Sequence, residues 1–344
     1  MVWNDARDLK IAFVGTGAQG ASIGADFILA GLDVTFIEQW PEHVAAMQAR
    51  GITVNLPTRS INTNVQAIHL CQVAELRERF DIVFLVVKAY DTLWTCQLIE
   101  PVLAADGLVV GMQNGMTQDA IASVIGPERC VGAVFDMASN MFVPGVANRQ
   151  NDHDTSWFGL GALDPSNSDR VENVAELLRN SGRVEVFEDI RSAKWMKLIV
   201  NAAQLVPSAI LNLAFAEAVK VPGMSDLMRA AGYEAMRAAI ADGARIVPIL
   251  GMPPTTTNDP DRFVDEIFDE VLRTFMMDDT LTTVLQDWRK GRRGEVLDIN
   301  GFVVKTLEAA GQSAPINQRV VNAARLIETG GLTAQQSNSS LLVA

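Results

Sequence analysis

The sequence predicts an α/β fold in which an N-terminal doubly wound parallel sheet is followed by a C-terminal all-helical domain. Short, nearly all-apolar segments such as 81–87 alternate with helical patterns over the first half of the chain. This alternation is typical of a parallel sheet that is covered on both faces. After about residue 190 the strand signals fade, and helical periodicity continues from 191 to 329. We therefore expect two domains, residues 1–190 and 191–344.

The elements of the first domain follow one another as strand, turn and helix. Strands are expected at residues 9–14, 32–37, 81–87, 107–112 and 130–135. Helices are expected from the glycine turn to about Ala30, from Pro41 onward, at 91–104 and from Thr117 onward. Segment 136–188 is expected to add late strands of the sheet and one helix. In the second domain, a loop is expected at 253–260 and a loose tail at 337–344.

The composition disfavours several classes of protein. The formal net charge is −13, and an acidic surface repels the phosphate backbone of nucleic acids. The first residues lack the basic flank and apolar core of a secretory signal. The most apolar long stretch, 195–219, contains Lys197, Asn201 and further polar residues, which a bilayer-spanning helix rarely carries. We expect a cytoplasmic protein with neither a nucleic-acid nor a membrane partner.

Cysteine and histidine are too sparse to predict a metal site or a histidine-based triad. The 3 cysteines show no paired metal-ligand spacing, and an odd, low count suits a reducing compartment. The histidines are His43, His69 and His153. A general acid is therefore expected to be a lysine or a carboxylate.

The segment Gly15-Thr-Gly-Ala-Gln-Gly20 joins a predicted strand to a predicted helix, and a second strand follows. The first glycine permits a tight turn, the second lets backbone approach a pyrophosphate, and the third lets the helix pack closely. The helix N-terminus then offers N–H groups and the positive end of its dipole to the phosphates. This arrangement predicts a Rossmann-type site for a nicotinamide dinucleotide.

Glu38 stands 21 residues after Gly17, at the end of the second predicted strand. A carboxylate at this place can accept hydrogen bonds from the adenosine ribose hydroxyls, and it repels a 2′-phosphate. The sequence therefore favours NAD(H) over NADP(H). A solvated loop side chain is the alternative interpretation of Glu38.

Lys197 and Asn201 lie one turn apart on a predicted helix and share a face. The other residues from 195 to 200 are apolar, so we expect Lys197 to be partly buried. Partial burial makes an ammonium group a better proton donor near neutral pH. The alternative for Asn201 is a bridge between neighbouring helices.

Five segments stand out in order along the chain: Gly15–Gly20, Val87–Tyr90, Gln113–Met116, Lys197–Asn201 and Leu285–Gly301. In sequence and in order they resemble the ketopantoate reductase family (2-dehydropantoate 2-reductases and their relatives). In the last segment a Gln-Asp pair precedes Glu295 and an Asn-Gly turn, as in the signature of the family. The resemblance covers nearly the whole length and is far more specific than the glycine turn alone.

The resemblance implies roles for individual residues. Lys197 matches the proton donor to the ketone oxygen, Asn201 a substrate-binding amide, and Glu295 a carboxylate that reaches the nicotinamide ribose. The implied catalytic residues are Lys197, Asn201 and Glu295, and the expected substrate contacts are Asn114, Thr283, which stands for a serine of the family, and Leu205. The expected cofactor contacts are Gly15, Thr16, Gly17, Ala18, Gln19, Gly20, Glu38, Val87, Lys88, Asn114 and Glu295. The resemblance also implies a homodimer.

Three positions depart from the pattern of the family. One turn after Asn201 the family commonly has a second asparagine, where this chain has Leu205, and Phe215 aligns with a further asparagine. Members that reduce ketopantoate often carry a basic residue after the second strand, where this chain has Glu38. A pocket that loses hydrogen-bonding groups favours a more apolar or bulkier ketone. We therefore expect a substrate other than ketopantoate.

Two other functions are alternatives to a ketopantoate-reductase-like enzyme. Another β-hydroxyacid dehydrogenase would share a helical lysine followed four residues later by asparagine, but would lack the pattern from Glu295 to Gly301. A non-catalytic NAD(H) sensor would have little need for Lys197, Asn201 and Glu295 together. The sequence favours an NAD(P)-dependent oxidoreductase that interconverts a ketone and a secondary alcohol, with Lys197 as the general acid and base.

Overall fold

The computed structural model describes residues 6–253, 259–274 and 280–343. It confirms the predicted fold class, an α/β part followed by a helical part. The chain divides into two compact units, Met1–Ile190 and Arg191–Ala344.

The first unit contains two sheets and five α-helices in its described residues. Its strands are β1 (Lys10–Val14), β2 (Asp33–Glu38), β3 (Ile52–Asn55), β4 (Ser60–Thr63), β5 (Gln66–His69), β6 (Phe80–Leu85), β7 (Leu103–Gly111), β8 (Cys130–Asp136), β9 (Ser139–Val143), β10 (Val146–Arg149), β11 (Trp157–Ala162) and β12 (Arg183–Val186). Its helices are α1 (Ala18–Leu29), α2 (Pro41–Arg50), α3 (Thr92–Ile99), α4 (Gln118–Ile125) and α5 (Ser168–Leu178).

The larger sheet has the strand order β5-β2-β1-β6-β7-β8-β11-β12. The strands from β5 to β8 are parallel, whereas β11 pairs antiparallel with β8 and parallel with β12. The chain moves from β1 outward to β2 on one side and later returns to place β6 on the other. In open α/β sheets, ligands bind beyond the carboxyl ends of the strands at such a reversal of order.

Burial on both faces explains why the central strands are apolar at nearly every position. Along β1, Ile11 and Phe13 join the core on one face, which includes residues of α1 and α5. Ala12 and Val14 join the core on the other face, with residues of α3 and α4. Successive side chains of a strand point to opposite faces, so a strand covered on both sides contains no polar alternation.

A second, four-stranded sheet of order β4-β3-β10-β9 packs against α1. Only part of the expectation for 136–188 is confirmed. β11 and β12 extend the larger sheet and α5 packs against them, as expected, but β9 and β10 belong to this second sheet. Its parallel pair β3–β10 joins segments that are distant in sequence. Local patterns carry no information about such a pairing.

Two boundaries in the first unit differ from the prediction. The helix expected at 91–104 ends at Ile99, and a 3₁₀ turn follows over Glu100–Val102. Pro101 has no N–H to continue the helical hydrogen bonding. The next strand therefore begins at Leu103, earlier than the predicted residue 107.

The second unit contains helices joined by loops and has no strand among its described residues. Its helices are α6 (Ile190–Ile210, in this unit from Arg191), α7 (Phe215–Ala218), α8 (Met224–Ala241), α9 (Pro260–Thr274), α10 (Thr283–Arg289), α11 (Asn300–Ala309), α12 (Pro315–Glu328) and α13 (Ser339–Val343). Helix α8 packs against α9, α11, α12 and α13. Of the loop predicted at 253–260, residues 254–258 lie outside the described residues. None of the described helices is long and apolar enough to cross a bilayer.

The prediction of a loose tail over 337–344 is wrong for its described residues, 337–343. Asn338 donates from Nδ2 to the Ile210 carbonyl (3.1 Å), and Arg319 donates to the Leu342 carbonyl (2.6 Å). The Leu342 side chain is 0% exposed. Tertiary contacts with α6 and α12 therefore order a segment that its composition alone describes as loose.

Candidate functional site

The glycine turn connects β1 to α1 at the carboxyl edge of the larger sheet. Gly15 has a φ of +85°, and a Cβ there would lie 2.8 Å from the backbone nitrogen of Val87. A Cβ on Gly20 would overlap the carbonyl oxygen of Gly15, whereas a Cβ on Gly17 would meet nothing within 4 Å. The first and third glycines are thus required by the turn and its packing. Gly17 leaves open space on the side where a phosphate would approach.

The N-terminus of α1 fits an anionic ligand. Gly17 is the N-cap residue and supplies no side-chain bond, and the first turn contains no acidic residue. The leading N–H groups of a helix need partners that an uncapped start does not supply, and the dipole favours negative charge there. Ala18 and Gln19 form this first turn with Gly20, and Gln19 Nε2 donates to the Met137 carbonyl (3.4 Å). These residues fit the pyrophosphate of a dinucleotide.

The neighbouring strand ends carry three more of the predicted cofactor contacts. Val87 and Lys88 follow β6, and Asn114 follows β7; all three are half-buried. The Val86 N–H donates to the Val14 carbonyl (2.8 Å), which fixes this loop beside the glycine turn. The reversal of strand order between β1 and β6 therefore coincides with the predicted dinucleotide site.

Glu38 is placed as predicted, at the end of β2, but its partners are unexpected. Oε2 accepts hydrogen bonds from the Thr16 N–H (2.7 Å) and the Thr16 hydroxyl (3.1 Å). Oε1 accepts from the N–H groups of Gln39 (2.8 Å) and Trp40 (3.0 Å). The side chain is a buried carboxylate, 6% exposed, so the solvated alternative is wrong. Glu38 ties the glycine turn to the end of β2.

His43 on α2 is a residue of this region that the sequence analysis did not single out. It is fully buried and bonded through Nε2 to the Thr16 carbonyl (2.8 Å). The signal that could have found it is periodicity, because His43, Val44 and Met47 occupy the buried face of α2. The glycine turn is thus held by two side chains rather than one.

In the second unit, α6 carries Lys197, Asn201 and Leu205 at intervals of four residues. Lys197 is half-buried, Asn201 is 2% exposed and Leu205 is buried. Side chains at this spacing lie on one face of a helix. The predicted partial burial of Lys197 is confirmed, and the helix presents an ammonium, an amide and an apolar side chain in a row.

The start of α6 is fixed by Asp242 at the end of α8. Asp242 Oδ2 accepts from Arg191 Nη2 (2.9 Å) and from the indole N–H of Trp195 (2.8 Å). These bonds hold the turn that precedes Lys197. Lys194, which the sequence analysis also passed over, is buried on this turn. Its position three residues before Lys197 places a second cation on the same face.

Thr283 lies at the start of α10, next to α6. The Thr282 hydroxyl donates to the Leu205 carbonyl (3.1 Å) and accepts from the Leu285 N–H (3.4 Å). The Thr283 hydroxyl oxygen is buried and has no hydrogen-bond partner among the described residues. A buried hydroxyl without a partner is costly, so this group fits the predicted role of a ligand contact.

Glu295 is buried, with 2% of its surface exposed. The segment that carries it is joined to α6 by Asn300. Asn300 Nδ2 donates to the Ala202 carbonyl (2.9 Å) and to Asn317 Oδ1 (2.8 Å). The buried carboxylate therefore lies in a segment that is tied to the turn of Asn201.

The chain is similar to known proteins over nearly its whole length. The profile of the family "Ketopantoate reductase PanE/ApbA" matches residues 11–162, and that of its C-terminal part matches residues 189–328. A 2-dehydropantoate 2-reductase of Archaeoglobus fulgidus is 28% identical over 325 residues, which cover 94% of this chain and 99% of the relative.

Two solved structures show the same fold. The PanE/ApbA family ketopantoate reductase of Ralstonia eutropha JMP134 has a TM-score of 0.79 at 26% identity, covering 94% of this chain and 99% of its own. A D-mandelate dehydrogenase in a ternary structure with NADH and anilino(oxo)acetate has a TM-score of 0.84 at 19% identity, with the same coverage. The latter likeness concerns the fold alone. The chain belongs to the ketopantoate reductase family of oxidoreductases.

Proposed function

We propose that this protein interconverts a 2-keto acid more apolar than ketopantoate and the corresponding 2-hydroxy acid, with NAD(H) as the cofactor. The observation that carries the proposal is the face of α6, where a half-buried Lys197 precedes the buried Asn201 by one turn. Membership in a family of enzymes argues against the alternative of a non-catalytic sensor. A homodimer stays a prediction from the resemblance.

Reduction of a ketone needs a hydride, a proton and stabilisation of the charge that builds on oxygen. The nicotinamide ring supplies the hydride when it is bound. The Lys197 ammonium donates its proton to the carbonyl oxygen and stabilises the developing charge. In the reverse direction the neutral amine of Lys197 accepts the hydroxyl proton. Asn201 and the Thr283 hydroxyl orient the substrate through hydrogen bonds, and Glu295 holds the ribose of the cofactor.

The preference for NAD(H) rests on the charges at the edge of the larger sheet. β2 pairs with β5, so Glu38 lies beside His69. Neither 38–49 nor 60–76 contains a lysine or an arginine, so these segments offer a 2′-phosphate no side chain with a permanent positive charge. The Thr16 hydroxyl makes the longest of the four bonds to Glu38, at 3.1 Å. Its rotation would release one carboxylate lone pair for a ribose hydroxyl.

The preference for an apolar substrate rests on Leu205 and Phe215. Both side chains are buried, and the Phe215 ring packs edge-to-face on Phe268 with ring centroids 5.7 Å apart. Neither offers the hydrogen bond that an asparagine would give to a polar substrate. A site without these hydrogen bonds no longer prefers a hydroxylated keto acid, and it accepts an apolar one.

The role of Lys197 is tested by the variant Lys197→Ala. We expect turnover to fall by about 10² or more, whereas the Kd for NADH stays within about twofold, because Lys197 is not among the proposed dinucleotide contacts. Lys305→Ala removes an exposed lysine of α11 and serves as the matched control. Unchanged turnover in Lys197→Ala would exclude the proposed proton transfer.

The substrate and the cofactor are tested together by steady-state kinetics. Ketopantoate, branched alkyl 2-keto acids and aryl 2-keto acids are each compared with NADH and with NADPH. We expect the highest kcat/KM for an apolar 2-keto acid with NADH. A much higher kcat/KM for ketopantoate with NADPH would contradict the interpretation of Glu38, Leu205 and Phe215.

A further inference from the structure

We propose that His43 is a positioning residue for dinucleotide binding: its neutral imidazole, protonated on Nε2, holds the Thr16 carbonyl and thereby aims the N–H of Gly17. The inference rests on the proposed function. It assigns to a histidine on α2 a part in cofactor affinity, although this side chain does not reach the cofactor itself.

The partners of His43 define its tautomer. Nδ1 lies 2.9 Å from the backbone nitrogen of Gly145, and Nε2 lies 2.8 Å from the carbonyl oxygen of Thr16. The Gly145 N–H can only donate, so Nδ1 is the unprotonated acceptor. The Thr16 carbonyl can only accept, so Nε2 carries the hydrogen. The ring is fully buried, and burial lowers its pKa, which favours this neutral form.

Thr16 is held from two sides. Glu38 accepts its N–H and its hydroxyl, and His43 binds its carbonyl. The Thr16 carbonyl and the Gly17 N–H belong to one planar trans peptide, in which the two groups point in opposite directions. A bond that fixes the carbonyl therefore fixes the direction of the Gly17 N–H, at the glycine that faces open space.

The other side of His43 is itself well supported. Gly145 lies in the turn between β9 and β10 at a φ of +80°, and its carbonyl accepts from the Thr53 N–H (2.9 Å). Arg50 Nη2 donates to the carbonyl of Pro144 in the same turn (3.0 Å). His43 thus joins the glycine turn to the second sheet. None of the proposed dinucleotide contacts lies on that sheet.

Two variants separate this role from a general contribution to stability. Glutamine places its amide nitrogen near the position of Nε2 and can still donate to the Thr16 carbonyl. Asparagine places its oxygen near Nδ1 and keeps only the bond from Gly145. Each variant keeps one of the two hydrogen bonds and leaves one backbone group without its partner. A merely structural role therefore predicts similar NADH affinities for the two.

We expect the Kd for NADH, measured by fluorescence titration, to rise about tenfold in His43→Asn and to stay within about threefold of wild type in His43→Gln, as the loss of one oriented hydrogen bond predicts. His153→Asn is the control, because His153 bonds to Asp26 instead (3.0 Å). Equal Kd values for the two His43 variants would overturn the inference and leave the proposed function intact. A wild-type protein that binds neither NADH nor NADPH would overturn both.

A measurement on the wild-type protein covers the case in which a variant fails to fold. The ring ¹⁵N chemical shifts of His43 report which nitrogen is protonated. We expect a protonated Nε2 and an unprotonated Nδ1 at pH 7. The opposite tautomer, or a doubly protonated ring, would contradict the bond to the Thr16 carbonyl as drawn and overturn the inference.

Discussion

Replacement of Glu38 by glutamine probes how strongly the carboxylate stabilises the glycine turn. The carboxylate accepts one pair of hydrogen bonds on Oε1, at 2.8 and 3.0 Å, and another on Oε2, at 2.7 and 3.1 Å. Glutamine keeps one oxygen, and its NH₂ group then faces the donors of the other pair. If the glutamine oxygen takes the place of Oε1, the Thr16 N–H loses its acceptor. The hydrogen bonds that remain are then no longer made to a charged group.

The expected loss follows from these bonds. A hydrogen bond to a charged group contributes about 1.5–3 kcal/mol, and bonds between neutral groups are about half as strong. Losing one such bond and weakening those that remain predicts that Glu38→Gln lowers the free energy of unfolding by about 3–5 kcal/mol. Equilibrium urea denaturation followed by circular dichroism measures this change in the transition of the first unit.

The matched control is Glu42→Gln, which makes the same chemical change at an exposed position in the first turn of α2. We expect it to cost less than about 1 kcal/mol, because only its interaction with the helix dipole is lost. If Glu38→Gln lowers the free energy of unfolding by no more than this control does, the carboxylate is not the anchor of the turn.

Three further outcomes are expected from buried groups. Burial lowers the pKa of His43, so the unfolded chain binds the additional proton first. The contribution of His43 to the free energy of unfolding is constant above about pH 6.5 and falls below it by up to about 1.4 kcal/mol per pH unit. Urea titrations at several pH values should show this slope, and His43→Gln should reduce it. Arg149→Met leaves the buried Asp26 without its cation at 2.8 Å, and it should cost about 3–5 kcal/mol in the same assay; a cost below 1 kcal/mol would contradict this account. Leu342→Ala should cost about 2–5 kcal/mol, whereas Leu341→Ala, at a side chain that is 49% exposed, should cost less than about 0.5 kcal/mol; equal effects would mean that α13 is not docked.

Features that depend on near neighbours in sequence could be predicted. The positive φ of Gly15 and the packing at Gly20 follow from a tight connection between a strand and a helix. The common face of Lys197 and Asn201 follows from helical periodicity. Their burial follows from the apolar residues around them, because a helix embedded in a core shows few polar residues over several turns.

Features that depend on the identity of a distant partner could not be predicted. The position of Glu38 at the end of β2 was predicted, but its four donors follow from the path of the backbone, which a sequence pattern does not specify. The role of His43 could not be predicted because its hydrogen-bond partners are two backbone groups. Every residue has such groups, so no sequence pattern indicates which of them His43 contacts. The parallel pairing of β3 with β10 was missed for the same reason.

The hydrogen bonds that hold the glycine turn also determine when during folding the turn can be completed. Glu38 lies 22 residues from Thr16, but Gly145 lies 102 residues from His43, and Arg149 lies 123 residues from its partner Asp26 on α1. Contacts between distant segments form slowly, because the chain must first lose the entropy of closing the loop between them. A fragment that stops before β9 would contain the whole glycine pattern and yet lack Gly145, the second partner of His43. We therefore expect the glycine turn to gain its full support only late in folding, after Gly145 has reached His43.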